Sequence, residues 1–94
     1  MADAARVSRI FKALSSETRV RILQLLKEHS LCVGALAARL DVSSAAVSQH
    51  LRVLRDADLV TPDKRGYYVH YALNRETLEE WRRVADHLLT TEEG

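Results

Sequence analysis

Val33-Gly34-Ala35-Leu36-Ala37-Ala38-Arg39-Leu40-Asp41-Val42-Ser43-Ser44-Ala45-Ala46-Val47-Ser48-Gln49-His50-Leu51-Arg52-Val53-Leu54 is the stretch that decides how the rest of the chain reads. Val33, Leu36, Ala37 and Leu40 recur at helical spacing and predict a short helix over 33–40. Val47, Leu51 and Leu54 predict another over 44–57, with Ser43 or Ser44 as its N-cap and a buried stripe ending near Asp58. Two short helices joined by Asp41-Val42-Ser43 have the shape of a helix-turn-helix, whose second helix enters the major groove of DNA.

The outward face of that second helix fits the task. Ser43, Ser44, Ala45, Ser48, Gln49 and Arg52 are short or hydrogen-bonding and cluster toward the N-terminus, where close approach to bases is needed. Gln pairs bidentately with adenine, Arg with guanine, and Ser reaches a base or a phosphate; the helix N-terminus itself favours a phosphate. His50 precedes Leu51 and bonds either backbone or phosphate on this reading. The competing account is an ordinary solvated face, since any amphipathic helix shows polar residues outward.

Downstream, Leu59-Val60-Thr61 and residues 67–73 are rich in β-branched and aromatic residues and flank Pro62-Asp63-Lys64-Arg65-Gly66. This predicts a two-stranded hairpin, a β-wing, with its turn at Pro62–Gly66. Lys64, Arg65, Tyr67 and Tyr68 decorate it; alternation puts Val69, Tyr71 and Leu73 on one face and leaves His70 on the outer face with Tyr68. Upstream, Val7, Ile10, Phe11 and Leu14 predict a first helix over 4–14 with Asp3 as cap, and residues 17–28 a second, with Glu17 in its first turn. Asn74 caps a last helix in which Leu78, Trp81, Ala85 and Leu88 form a narrow seam suited to helix pairing. The expected fold is mainly α: five helices with a two-stranded β-wing before the last, a winged helix-turn-helix.

At 94 residues the chain has room for one core, hence one domain over 1–94. Hydrophobic residues at 47% and charged residues at 29% exclude a disordered chain, and no uncharged run approaches the ~20 residues of a membrane span. Without a basic, apolar leader, and with one cysteine, the chain reads as cytoplasmic, with no membrane partner. Residues 1–74 carry eleven Lys or Arg against seven Asp or Glu, and residues 75–94 three against six, so a basic body precedes an acidic tail. The body suits an anionic partner such as double-stranded DNA.

Several segments together resemble one family. Leu14-Ser15-Ser16-Glu17-Thr18-Arg19-Val20-Arg21-Ile22-Leu23, Leu31-Cys32-Val33, Val47-Ser48-Gln49-His50-Leu51-Arg52-Val53-Leu54 and Gly66-Tyr67-Tyr68-Val69-His70-Tyr71-Ala72-Leu73 look like the ArsR/SmtB family of winged-helix repressors, over residues 7–74. The resemblance implies a homodimer on an inverted-repeat operator, released by an inducer that is often a divalent metal ion. It also implies dimerisation through the first and last helices, residues 1–14 and 75–90. Val7, Ile10, Phe11 and Leu14 with Leu78, Trp81, Ala85 and Leu88 fit that assignment.

The family's sensing positions are largely missing. Cys32 is kept, but Gly34 and Ala37 stand where further thiols belong, so a three-thiolate site cannot form there. On the last helix Arg75, Thr77, Leu88 and Thr91 occupy the ligand positions. Asp86 and His87, with Glu92 and Glu93, offer metal-binding chemistry, yet adjacent residues point about 100° apart around a helix. Cys32 near a helix start, with His29 upstream, is a candidate thiol sensor; the plainer account is a small packed hydrophobe. No third catalytic group or Gly-rich loop accompanies the Cys-His pair, which argues against an enzyme. The alternatives are a DNA-binding regulator without sensing and a winged helix used for protein contacts, whose outward face would be apolar or acidic.

Overall fold

The computed structural model describes residues 4–91, so the expected cap Asp3 and the carboxylates Glu92 and Glu93 lie outside the described residues. The elements run α1 (Ala4–Ala13), α2 (Glu17–Leu26), β1 (Leu31–Cys32), α3 (Val33–Leu40), α4 (Ser44–Asp56), β2 (Val60–Arg65), β3 (Tyr68–Leu73) and α5 (Arg75–Leu89). The winged helix-turn-helix is present as expected.

Three helices start on side-chain caps. Ser16 Oγ accepts from Arg19 N–H (3.3 Å), Ser43 Oγ from Ala46 N–H (3.1 Å) and Asn74 Oδ1 from Thr77 N–H (3.3 Å). Ser43, not Ser44, is therefore the cap of α4. Asp41 (φ 56°) ends α3 in the left-handed region, and Asp58 (φ 64°) turns the chain after α4. Asp tolerates that region better than most side chains. α2 stops at Leu26, short of the expected 28, because Lys27 and Glu28 form a turn.

The wing departs from expectation in two ways. β2 continues through Pro62 to Arg65, and the turn is the two-residue Gly66-Tyr67, with Arg65 opposite Tyr68. Pro62 is tolerated because strand order β1-β3-β2 leaves β2 at an edge. Gly66 (φ +61°) opens the turn, the position where a type II′ hairpin needs glycine. The hairpin is also joined at its base by a third strand: β1 pairs antiparallel with β3, Leu31 opposite Tyr71 and Cys32 opposite His70. His70 thus shares its face with Cys32 and is half-buried, where a bare outer face was expected.

The core gathers Ile22, Leu26, Leu36, Leu40, Val47, Leu51, Leu54, Leu59 and Val60 from α2, α3, α4 and the root of β2. This locks α3 and α4 together with the polar face of α4 outward. α1 packs chiefly on α5, and no residue of α5 is buried. The chain is elongated, 51 × 23 × 22 Å with a radius of gyration of 14.6 Å. A compact domain of this length would have about 12 Å.

Candidate nucleic-acid interface

α4 presents its first turns as a continuous polar face. Ser43, Ser44, Ala45, Ser48, Gln49 and Arg52 are all exposed, while Val47, Leu51 and Leu54 on the opposite side are buried. Arg55, one turn beyond Arg52, is exposed on the same side. The sequence reading missed it, although its i, i+3 spacing from Arg52 was available. Ser48, Arg52 and Arg55 line a small cavity, about 160 Å³, with Tyr71 of β3, so the polar face of α4 adjoins the sheet.

The wing adds charge and aromatic surface. Tyr67, at the turn, is fully exposed and Tyr68 is 66% exposed. Arg65 Nε is held by Asp63 Oδ2 at 2.9 Å, whereas Lys64 has no carboxylate partner among the described residues. Bare aromatics beside an unpaired cation suit a polyanion with stacking or groove surfaces.

His50 is placed differently from its neighbours. Half-buried, its Nδ1 lies 3.2 Å from the Arg19 guanidinium, so it accepts that bond and carries its own proton on Nε2. Burial, and then the Arg19 charge, hold its pKa below the usual 6.5. The sequence could not show this pairing, which spans 31 positions.

Of the expected dimer residues, Phe11 is 40% and Leu88 52% exposed, while Val7, Leu14, Leu78, Trp81 and Ala85 are half-buried. Ile10, only 4% exposed, packs within the protomer and has little surface left for a partner. Leu89, which the stripe left out, is 71% exposed beside Leu88. An Arg6–Glu80 ion pair ties α1 to α5.

Cys32 is half-buried at the N-cap of α3 and makes no side-chain cap bond. Directly opposed residues of an antiparallel pair have Cβ atoms about 4.5–5.5 Å apart, so His70 is the cross-strand neighbour of Cys32, while His29 is exposed. His70 Nδ1 is buried with no hydrogen-bond partner among the described residues. Asp86 and His87 are both exposed on α5. Among the described residues no three His, Cys, Asp or Glu come together as a metal-ligand group. A larger cavity, about 680 Å³, lies between α1, the C-terminal end of α4 and α5, with Arg19 and Trp81 in its wall. No helix among the described residues is long and apolar enough to cross a membrane.

Comparison with known proteins matches residues 16–61 to the family described as bacterial regulatory protein, arsR family. Over 74 residues the chain is 32% identical to the transcriptional repressor SdpR of Bacillus subtilis (strain 168), covering 79% of this chain and 82% of that one. Over 87 residues it is 40% identical to a transcriptional repressor SmtB homolog of Synechocystis sp. (strain ATCC 27184 / PCC 6803 / Kazusa), covering 92% of this chain and 66% of that one. Its fold matches the solution structure of the homodimeric winged helix-turn-helix DNA-binding domain (fragment 1-100) of Mb0332 from Mycobacterium bovis, a possible ArsR-family transcriptional regulator. The TM-score is 0.73 at 25% identity, covering 96% of this chain and 92% of that one.

Proposed function

The chain belongs to the arsR family of bacterial regulatory proteins, transcriptional regulators on a DNA-binding winged helix-turn-helix fold, and from that premise we propose that it represses transcription as a cytoplasmic homodimer on an inverted-repeat operator. The observation that carries the reading is the exposed face of α4, free of carboxylates over Ser44–Arg55, which adjoins Tyr71 of a wing whose tip exposes Lys64, Tyr67 and Tyr68. Ser44, Ser48, Gln49 and Arg52 read bases; Ser43, Ala45, Arg55, Lys64, Arg65, Tyr67 and Tyr68 hold phosphate, sugar or minor groove. A partner-binding winged helix would turn an apolar or acidic face outward, and this one is neither.

Dimerisation is supported by α5, an amphipathic helix with no buried residue in the protomer, and by the outward Phe11, Leu88 and Leu89. Two-fold symmetry then places half-sites roughly one helical turn, about 34 Å, apart or at a related spacing. Selection from random duplexes should enrich an imperfect palindrome; enrichment of nothing, or of a single unrepeated motif, removes the dimeric operator reading.

For control, no three His, Cys, Asp or Glu come together among the described residues, so no metal-driven step is assigned. The arrangement that favours a thiol response is Cys32 with His70 across the ladder, where an imidazole nitrogen lacks a partner. Reaction of that thiol at the start of α3 would shift the helix that supports α4. Cys32→Ser should keep operator affinity and lose release by polysulfide or peroxide; release of that variant at the wild-type concentration makes Cys32 a packing residue.

A further inference from the structure

Arg19 belongs to neither the polar face of α4 nor the dimer seam, yet its side chain connects both. It leaves α2 and sends Nε to the Ala13 carbonyl at 2.6 Å and a terminal nitrogen to the Lys12 carbonyl at 3.3 Å. Both carbonyls belong to the last turn of α1, where a positive charge suits the helix end; the Lys12 carbonyl also accepts from the N–H and the Oγ–H of Ser15. The other terminal nitrogen donates to His50 Nδ1 at 3.2 Å. One planar guanidinium therefore spends its fork on two elements at once: the end of the proposed dimerisation helix and the middle of the helix that reads DNA.

The location of His50 gives this bond leverage. It sits between Gln49, exposed on the reading face, and Leu51, 2% exposed in the core. A displacement at His50 is thus a displacement of Gln49, and about 1 Å decides whether a bidentate base contact forms. Arg19 bonds rigid backbone at one end and a side chain of α4 at the other, so it relays the position of α1 to α4. Since α1 packs chiefly on α5, the relay reaches the surface where the second copy docks.

We infer that Arg19 is a positioning residue that fixes α4 relative to the dimerisation helices through His50, and so sets the half-site spacing the dimer accepts. The inference rests on the dimeric operator reading above and adds to it the residue that determines spacing. It makes His50 a receiver of the clamp rather than a phosphate ligand. No covalent or redox step is involved, and the charge supplied by lysine cannot replace the fork, because an ammonium lacks the fixed geometry that meets two carbonyls and an imidazole together.

The test uses the full chain on duplexes carrying the selected half-sites at the selected spacing and at one base pair more or less, with a single half-site as reference. Wild type should bind the selected spacing best. Arg19→Lys should lower the preference for that spacing by about fivefold or more while single half-site affinity stays close to wild type. His50→Gln, whose amide oxygen still accepts from Arg19, should retain the preference; His50→Ala should lose it. The double variant Arg19→Lys with His50→Ala should be no worse than either alone, since both break one link. Unchanged spacing preference in Arg19→Lys overturns the inference, as does a parallel loss on all duplexes including the single half-site, which marks a residue needed only for folding. Additive losses in the double variant overturn it too, and make His50 an independent DNA contact. If wild type shows no preference for repeated half-sites at all, it is the operator reading that fails, not the role of Arg19 within it.

Discussion

Gln49 and Lys64 represent two kinds of contact that salt and sequence separate. Gln49→Ala should cost about 1–3 kcal/mol on the operator and little on random DNA, whereas Lys64→Ala should weaken both and reduce the salt slope by about one. Equal losses on both DNAs for Gln49→Ala would take base readout away from that residue. His50 gives a signed pH dependence. Its folded pKa is depressed, by burial first and by Arg19 second, so folding favours the neutral ring. That contribution is fully present above the unfolded value of about 6.5 and is lost as pH falls through the depressed folded value. Urea midpoints compared at about pH 7.5 and pH 5.5 should drop more for wild type than for His50→Gln, and identical drops would show that this ring does not titrate with unfolding. At this scale the exposed polar set on α4 was legible, because helical period alone assigns faces. The Arg19–His50 bond and the Cys32–His70 juxtaposition were not, because each joins residues brought together only by tertiary packing.

The helices of the helix-turn-helix were readable because Val33, Leu36 and Leu40, and then Val47, Leu51 and Leu54, repeat with one period and end at capping or left-handed residues. The wing was readable in kind but not in detail. Pro62 signals a turn by local propensity, yet an edge strand needs no amide from it, so the ladder runs on to Arg65. β1 has two residues and no periodicity to detect; only its pairing with β3 defines it. The turn at Gly66 gives a prediction at this scale. A Cβ there would meet nothing within 4 Å, so Gly66→Ala should cost only the left-handed backbone penalty, about 1–2 kcal/mol. Because the wing is exposed over residues 61–69, this should appear as faster amide exchange near the turn in β2 and β3 and weaker binding to all DNAs, with the helical core unaffected. Unchanged exchange in the wing would mean that the turn tolerates alanine without strain.

The whole protomer is an extended body with an unfinished surface. α5 buries nothing completely, Phe11, Leu88 and Leu89 face outward, and Ile10 is packed within the chain and leaves little surface for the proposed seam. Leu88→Glu, which touches neither core nor α4, should place paired charges in the seam and yield monomers that keep their helical content; an unchanged sedimentation coefficient at micromolar concentration would remove α5 from the interface. Two protomers joined this way carry two copies of α4 and two wings, the arrangement an inverted repeat requires. The most direct test is the mass, by analytical ultracentrifugation or native mass spectrometry, of the complex formed on a duplex selected from random sequence. The expected result is an inverted repeat carrying two 10.6 kDa chains, with Leu88→Glu failing to load the second. One chain per duplex at saturation, or two chains on a sequence without repeated half-sites, would contradict it.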